Sequence, residues 1–399
     1  MRVDFNVPLD GTTVSDDTRI RAALPSIKYI IDQGGSLVLM SHLGRPKGQV
    51  KPEFSLKPAA DKLQELIGQD IKFAPDCVGD DIKGMAQSLK AGEIMLLENL
   101  RFHPEEEGKP ALAADATDEE KSAAKSEMKQ KQEVFASQLA ELGDVYVCDA
   151  FGTAHRAHAS MAVVNKYFEE CVAGFLLEKE IEYLGNAVAN PQRPFVAILG
   201  GAKISGKIDV LMSLMDKVDT IIVGGGMVYT FYKAMGISVG DSLVEEDRIE
   251  LARETLDKVK EKNVNFLLPI DHIIADAFSA DANVEVRNEE SIPDGWMALD
   301  IGPETIKKYC AAVADAKTVV WNGPMGCFEM APFAEGTMSL AKAIADSEST
   351  SIIGGGDSVS AINKSGLAGK MTHISTGGGA SLEFLEGKTL PGIDALSDK

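Results

Sequence analysis

The sequence predicts an α/β protein in which two doubly wound, parallel-sheet (Rossmann-like) lobes are joined by a helical hinge. Short apolar runs alternate with amphipathic stretches of helix length along most of the 399 residues, a pattern typical of parallel sheets with helices on both faces. A chain of this length also exceeds what one hydrophobic core normally holds, which favours two domains. In such sheets, ligands bind at the carboxyl ends of the strands.

The predicted strands are short and rich in aliphatic residues. They cover residues 3–7, 36–40, 93–97, 144–148, 195–199, 220–223, 265–269, 318–321 and 351–353. Helical periodicity predicts helices between them, including residues 18–32, 56–67, 245–262 and 333–346. A further helix with an apolar stripe from Leu177 to Val188 ends at the proline-containing segment 190–194. It is either a connector between lobes or an ordinary surface helix.

Composition narrows the possible partners. The net charge of −21 argues against nucleic acid and anionic membranes, and no apolar run is long enough to span a membrane. The five cysteines form no C-x-x-C pair, which fits the reducing cytoplasm. The N-terminus also lacks an export pattern, so we predict a cytoplasmic protein.

The most informative stretch is residues 193–207, RPFVAILGGAKISGK. An apolar strand ends in glycines before a helical pattern, and this geometry directs free backbone N–H groups at an anion. From Gly201 the letters nearly match the phosphate loop G-x-x-x-x-G-K, but Ile208 replaces the Ser or Thr that would hold Mg²⁺. A tight turn is the alternative interpretation. Lys203 and Lys207 favour a phosphate, because buried lysines require an anionic partner.

Basic side chains in the first 160 residues follow the ends of predicted strands. They are Arg2, Arg19, Arg21, His42, Arg45, Arg101, His103, His155, Arg156 and His158. Each alone fits a surface ion pair, but together they predict a pocket for a small anion that carries phosphate and carboxylate. Metal binding by the histidines is less favoured, because arginine neighbours repel cations.

The second half instead carries three glycine triplets, Gly224–Gly226, Gly354–Gly356 and Gly377–Gly379. None has the spacing of a dinucleotide site, but all would let a base or phosphates approach the backbone closely. Asp357 is predicted to cap a helix, a position compatible with holding Mg²⁺. Glu329 is a candidate acceptor for ribose hydroxyls or a plain surface carboxylate. An acidic-substrate lobe and a nucleotide lobe suit phosphoryl transfer, with closure of the lobes excluding water.

Eight blocks in order along the chain resemble the 3-phosphoglycerate kinase family. They are RVDFNVP (2–8), SHLGRP (41–46), LLENLRFH (96–103), DAFGTAHRAHAS (149–160), LGGAKISGK (199–207), VVWNGPMGCFE (319–329), GGGDSV (354–359) and STGGGASLEFLEGKTLPG (375–392). The resemblance implies a monomeric, two-lobed glycolytic enzyme. Its reaction is reversible phosphoryl transfer from 1,3-bisphosphoglycerate to Mg-ADP, giving 3-phosphoglycerate and Mg-ATP.

The resemblance also implies roles for individual residues. The acidic substrate is expected to contact Asp4, Asn6, Arg19, His42, Arg45, Arg101 and Arg156. The nucleotide is expected to contact Gly201, Ala202, Lys203, Lys207, Gly225, Asn322, Pro324, Cys327, Glu329, Gly354, Gly355, Gly356, Asp357 and Ser358, with Asp357 as the Mg²⁺ ligand. Charge on the migrating group would be stabilised by Arg19, Lys203, Lys207, Gly355 and Gly356.

The expected domains are a 3-phosphoglycerate-binding domain (1–172), a connecting helix and hinge (173–192), a nucleotide-binding domain (193–380) and a C-terminal segment that returns to the first domain (381–399). Family members normally have further residues before the RVDFN block, so the alternative is a protein that binds both ligands with impaired catalysis. A dehydrogenase is disfavoured by the missing dinucleotide fingerprint. Cys148 and Cys327 depart from the usual residues. Residues 105–132 are predicted to be a solvated insertion without a catalytic role.

Overall fold

The computed structural model describes residues 1–113, 115–288 and 292–397. It divides into two compact units, unit 1 (Met1–Ile181 and Thr389–Lys399) and unit 2 (Glu182–Lys388). The end of the chain thus groups with the N-terminal unit, and the domain limits predicted above stay a prediction. Ala114 of the predicted insertion, residues 289–291 of the predicted nucleotide domain and residues 398–399 of the predicted C-terminal segment lie outside the described residues.

Unit 1 is built on short strands. They are β1 (Arg2–Val3), β2 (Leu9–Asp10), β3 (Thr13–Val14), β4 (Leu37–Leu39), β5 (Ile71–Phe73), β6 (Ile94–Leu96), β7 (Tyr146–Asp149) and β8 (Cys171–Ala173). Parallel sheets β5-β6-β4 and β1-β7-β8 are joined by a parallel bridge between Arg2 and Met40, whereas β2 and β3 form an antiparallel hairpin. The loops after β1, β4, β6 and β7 therefore leave the same edge of the parallel sheet.

The helices of unit 1 cover this sheet. They are α1 (Thr18–Asp32), α2 (Lys57–Ile67), α3 (Asp80–Gln87), α4 (Pro104–Glu107), α5 (Asp118–Ala140) and α6 (Phe175–Ala189), with a four-residue helix at Pro391–Asp394. Helix α1 buries Ile20, Ala23 and Ile27 in the core, as its 3.6-residue periodicity predicts. A capping box between Thr117 and Glu120 begins α5. The division between the units falls within α6.

Unit 2 contains a six-stranded parallel sheet in the order β11-β10-β9-β15-β16-β17. Its strands are β9 (Phe195–Leu199), β10 (Thr220–Val223), β11 (Asn265–Leu267), β15 (Thr318–Asn322), β16 (Thr350–Gly354) and β17 (His373–Ile374). A separate antiparallel sheet contains β12 (Asp271–Ala275), β13 (Val284–Asn288) and β14 (Met297–Ile301). The helices are α7 (Ile208–Leu214), α8 (Met227–Ala234), α9 (Ile249–Lys262), α10 (Pro303–Ala314), α11 (Glu335–Asp346), α12 (Gly356–Ser365) and α13 (Gly379–Leu385).

The parallel core of both units follows the predicted alternation, but strand β1 is shorter than predicted. It ends at Val3 rather than Val7, because the next backbone groups bond to side chains instead of a neighbouring strand. Phe5 N donates to Ser41 Oγ at 2.8 Å, and Asn6 N donates to Asp4 Oδ1 at 3.2 Å. Within the described residues, no helix combines the length and apolar character that crossing a membrane requires.

Candidate active site

Asp4 and Asn6 follow strand β1 and make defined polar contacts. Arg19 Nη1, from helix α1, donates to Asp4 Oδ2 at 2.8 Å, and Gly44 N donates to Asn6 Oδ1 at 2.9 Å. The side chain of Asp4 is 5% exposed and that of Arg19 is 34% exposed. Arg19 therefore has a carboxylate holding one side of its guanidinium and an accessible remainder that can bind an anion.

His42 and Arg101 follow strands β4 and β6. Arg101 Nη1 donates to Gly44 O at 2.8 Å, and its Nε lies 3.3 Å from Glu107 Oε1. Burial lowers the pKa of Arg101, while the Glu107 carboxylate acts in the opposite direction. Burial, aided by the charges of Arg2 and Arg101, holds the pKa of His42 well below 6.5. The imidazole of His42 is therefore neutral at pH 7.

Arg45 and Arg156 are exposed. Arg45 follows Gly44 in the loop that already contacts both Asn6 and Arg101. Burial and the charge of Arg156 lower the pKa of His155 to about 4. Asp4 and Arg101 also act electrostatically on His155. The loops after β1, β4, β6 and β7 thus converge at one edge of unit 1, and they carry the seven predicted substrate residues together with helix α1.

Two members of the predicted basic cluster face elsewhere. Arg21 pairs with Asp17 at 2.8 Å on the exposed surface of α1. His103 Nε2 lies 2.6 Å from Asp76 Oδ1, and its ring stacks on Phe135. Neither side chain contributes to the converging edge through these contacts.

Unit 2 has a cavity of about 400 Å³ at the carboxyl ends of strands β9, β15 and β16. The predicted nucleotide residues that line it are Gly201, Ala202, Lys203, Lys207, Asn322, Gly355, Gly356, Asp357 and Ser358. Gly200, Gly323, Gly378, Gly379 and Leu382 also line it and were not predicted. The third glycine triplet was the available signal for Gly378 and Gly379, and Leu382 lies in the same 375–392 block, whose residues were not assigned to the nucleotide.

The two lysines of the cavity differ in environment. Lys203 is exposed, whereas Lys207 lies deeper and its ammonium group donates to Asn322 Oδ1. Burial lowers the pKa of Lys207 to about 8, although the Asp357 carboxylate opposes that shift. A cation that is partly desolvated without a full counter-charge binds a phosphate strongly.

Helix α12 begins at this cavity, and its cap differs from the prediction. Gly355 is the N-cap with φ +86°, and Asp357 lies in the first turn instead of capping the helix. An added Cβ at Gly355 would come within 2.8 Å of Asn322 Oδ1, and the positive φ is a conformation that favours glycine, so a side chain at this position would shift Asn322 and strain the backbone. The free N–H groups of this first turn can receive an anion.

Three other predicted nucleotide residues are not part of the cavity lining that the described residues form. An added Cβ at Gly225 would lie 2.5 Å from Gly201 O, and one at Gly200 would lie 2.1 Å from Pro324 O. Gly225 therefore packs closely against the backbone of Gly201, and Pro324 packs closely against the backbone of Gly200. Gly354 is buried as the last residue of β16.

Cys327 and Glu329 are also absent from the cavity lining. Cys327 is half-buried, and burial with the nearby Glu329 and Asp300 carboxylates raises the pKa of its thiol to about 11. Glu329 is exposed. Their predicted contacts with the nucleotide remain predictions.

The fold and these sites define an α/β phosphotransferase: one unit gathers arginines at a sheet edge, and the other forms a glycine- and lysine-lined cavity at strand ends. A sequence model described as "Phosphoglycerate kinase" matches residues 1–388. The chain belongs to the phosphoglycerate kinase family.

Individual relatives agree with this assignment. The phosphoglycerate kinase of Chloroherpeton thalassium is 58% identical over 401 residues, covering 100% of this chain and 96% of the relative. The phosphoglycerate kinase of Moorella thermoacetica is 55% identical over 399 residues, covering 100% of this chain and 96% of the relative. The solved structure of phosphoglycerate kinase from Coxiella burnetii has a TM-score of 0.83 at 40% identity, covering 99% of this chain and 94% of the other. The Pyrococcus horikoshii structure has a TM-score of 0.84 at 33% identity, with 99% and 94% covered.

These findings confirm the predicted family, fold class and enzyme class. The chain is a phosphotransferase of glycolysis, and its family uses ATP and ADP as substrates.

Proposed function

We propose that the chain transfers a phosphoryl group reversibly from 1,3-bisphosphoglycerate to Mg-ADP, giving 3-phosphoglycerate and Mg-ATP. The observation that carries the nucleotide half is the cavity of unit 2, where two lysines, bare glycine backbone and the start of helix α12 meet. The converging arginines of unit 1 support the acidic-substrate half. Helix α1 and the loops after β4, β6 and β7 carry them and would bring cationic groups to phosphate and carboxylate oxygens.

Catalysis in this proposal rests on positioning and charge. The acceptor in the ATP-consuming direction is a carboxylate that is already ionised at pH 7, so no general base is needed. Arg19, Lys203 and Lys207 supply positive charge, and the N–H groups at Gly355 and Gly356 supply hydrogen bonds to the migrating group. Closure of the two units during turnover is part of the proposal, because water must be kept from the phosphoryl donor.

A magnesium ion fits the residues of the cavity. Asp357 is an exposed carboxylate in the lining, and Mg²⁺ is usually held by one or two carboxylates together with substrate phosphates and water. Asp357 would hold it, and the bound ion would neutralise charge on the nucleotide phosphates. We further propose a cytoplasmic monomer without nucleic acid or membrane partners, in keeping with the net charge of −21.

A coupled assay with ATP, Mg²⁺ and 3-phosphoglycerate tests the reaction on the intact chain. We expect ADP to form only when all three are present. Binding of both ligands, measured by calorimetry, without ADP formation would instead favour the impaired-catalysis alternative. Replacing 3-phosphoglycerate by glycerate is the matched control, because it keeps the carboxylate and removes the phosphate that the arginines bind.

A further inference from the structure

Arg2 differs from the other arginines of the basic cluster, because its side chain is fully buried. Its Nε donates to Ser160 Oγ at 2.9 Å, its Nη2 lies 3.0 Å from His42 Nδ1, and its Nη1 donates to Val3 O. Arg2 therefore cannot bind substrate directly. It instead contacts a residue, His42, that the proposed function places at the substrate.

The guanidinium fixes the direction of each hydrogen bond around it. Arginine has donors and no acceptor, so His42 Nδ1 must accept from Arg2 through its lone pair. A neutral imidazole carries one ring hydrogen, and that hydrogen is consequently on Nε2. His42 Nε2 has no hydrogen-bond partner within the described residues. It is also not one of the fully buried polar atoms that are left without a hydrogen-bond partner. Its N–H is therefore accessible to a ligand.

The carboxylate of Glu106, which is buried, is linked to the other side of Arg2 through Ser160. Because Ser160 Oγ accepts from Arg2, its own hydrogen is donated to Glu106 Oε1 at 2.6 Å, and Ser160 N donates to Glu106 Oε2 at 3.0 Å. Burial alone would raise the pKa of Glu106, but the His158 ring 3.7 Å away, the charge of Arg2 and the hydrogen bond from Ser160 lower it to about 2. Glu106 is thus ionised and compensates the charge of Arg2.

Burial is the main cause that lowers the pKa of His42, and basic groups from several elements add to it. They are Arg2 of β1, Arg101 after β6, His158 after β7 and Arg19 of α1. An imidazolium at this place would also have to give up the hydrogen bond from Arg2, since both ring nitrogens would then be donors.

We propose that Arg2, held by Ser160 and Glu106, keeps His42 as a neutral imidazole with its hydrogen on Nε2, so that His42 binds the anionic substrate as a hydrogen-bond donor and not as a cation. Arg2, Ser160 and Glu106 are positioning residues in this scheme. The identity of the substrate rests on the proposed function, whereas the protonation state of the ring does not. The arrangement would keep the contact from His42 constant across neutral pH.

Nitrogen NMR of the intact, ¹⁵N-histidine-labelled protein tests the protonation state without any substrate. The signals of His42 are assigned by their loss in His42→Gln. We expect Nδ1 to be unprotonated and Nε2 protonated at pH 6, 7 and 8. An imidazolium at pH 6, or a ring with its hydrogen on Nδ1, would overturn the proposal even if the enzyme turns over normally. Conversely, an inactive enzyme with the expected ring would refute the proposed function alone.

The variant Arg2→Lys tests the consequence for binding, because lysine lacks the planar fork that reaches two partners. In this variant we expect the ring of His42 to titrate near neutrality. The increase in the KM for 3-phosphoglycerate from pH 6 to pH 8 should then be roughly threefold to tenfold larger in the variant than in the wild type. The kcat should change less. Arg21→Lys, on the exposed face of α1, is the control and should follow the wild-type profile. A profile of Arg2→Lys parallel to the wild type would contradict the proposal, and the NMR result decides it if that variant does not fold.

Discussion

Lys207 combines a role in the proposed reaction with a cost in stability. Burial lowers the pKa of its ammonium group from 10.5 to about 8, so at pH 7 the folded protein holds a charge that its surroundings disfavour. The folded state binds fewer protons than the unfolded chain between about pH 8 and 10.5, and stability therefore rises with pH through that range. At neutral pH the penalty is at its full value.

We expect Lys207→Met to lower kcat by roughly 10²–10³ while raising the free energy of unfolding at pH 7 by about 1–2 kcal/mol. The gain is the relieved desolvation less the lost hydrogen bond to Asn322. Lys203→Met is the matched control. Its side chain is exposed, so kcat should fall without a stability gain beyond about 0.5 kcal/mol. Urea unfolding followed by circular dichroism measures the stability of both variants, and the coupled assay measures kcat. Equal stabilities for the two variants would contradict the cost assigned to burying Lys207.

Arg19 and Arg21 lie two positions apart on helix α1 and offer a second matched pair. Arg19 pairs with the buried Asp4, whereas Arg21 pairs with Asp17 at the surface. We expect Arg19→Ala to lower turnover by roughly 10²–10³, as loss of a donor to transition-state charge does. Arg21→Ala should leave turnover within about twofold, since surface ion pairs contribute little. Turnover of Arg19→Ala close to wild type, in the coupled assay, would remove Arg19 from the proposed catalytic residues.

At the scale of elements, helix α12 links backbone geometry to the nucleotide binding proposed above. Gly355 and Gly366 stand at its two ends, with φ of +86° and +72°. An added Cβ would come within 2.8 Å of Asn322 Oδ1 at Gly355, but at Gly366 it would meet no atom of the described residues within 4 Å. The two positions therefore share a backbone conformation that favours glycine and differ in contact with the cavity.

We expect Gly355→Ala and Gly366→Ala each to cost about 1–2 kcal/mol of stability, because alanine is disfavoured at positive φ. Only Gly355→Ala should also weaken ATP binding, by roughly tenfold or more. The added methyl group would displace Asn322 and the first turn of α12 from the positions in which they bind the phosphates. Calorimetric titration with ATP separates the effects. A similar loss of ATP affinity in both variants would indicate that global strain, and not the helix start, sets nucleotide binding.

The elements that the sequence predicted well are those with a strong local signal. Helix α1 and strands β9 and β10 have the predicted limits, because their apolar periodicity and flanking turn residues agree. The three-residue strands β5 and β8 and the antiparallel sheet around β12 were missed. Short strands and the largely exposed β13 carry little apolar pattern, and their pairing depends on residues distant in the chain.

Burial of charge was the harder prediction. Residues 105–132 were predicted to be solvated, but Glu106 is fully buried against Ser160, so that prediction is wrong at this residue. Arg2 was grouped with the basic residues of the predicted anion pocket, although its side chain is fully buried. Composition could not reveal either, because a buried charge is identified by its partners, and Arg2 and Ser160 are 158 residues apart.

At the scale of the whole molecule, each unit carries a buried carboxyl group whose pKa is raised. Burial raises the pKa of Asp149, at the end of β7 in unit 1, to about 6. It raises the pKa of Asp300, on β14 in unit 2, to about 7. Asp149 accepts from Leu177 N at 3.1 Å, at the start of α6, and Asp300 accepts from Gly336 N at 2.8 Å, at the start of α11. Both groups order helix starts at the expense of desolvation.

These two groups give a pH dependence with a distinct window in each unit. A carboxyl group with a folded pKa above its unfolded value of 3.8 contributes stability that is full below pH 3.8 and is lost as the pH rises through the folded pKa. We therefore expect the wild type to lose about 2–3 kcal/mol of stability relative to Asp300→Asn between pH 5 and 8, with most of the loss between pH 5 and 7 and a plateau above pH 7. Relative to Asp149→Asn it should lose about 1 kcal/mol, with most of that loss complete soon after pH 6. Urea unfolding of the three proteins at each pH measures the differences in unfolding free energy between the wild type and each variant. Each variant also loses a hydrogen bond, but that loss is the same at every pH and so does not change how the difference varies with pH. Differences that stay constant across this range would mean that neither carboxyl group titrates where its burial indicates.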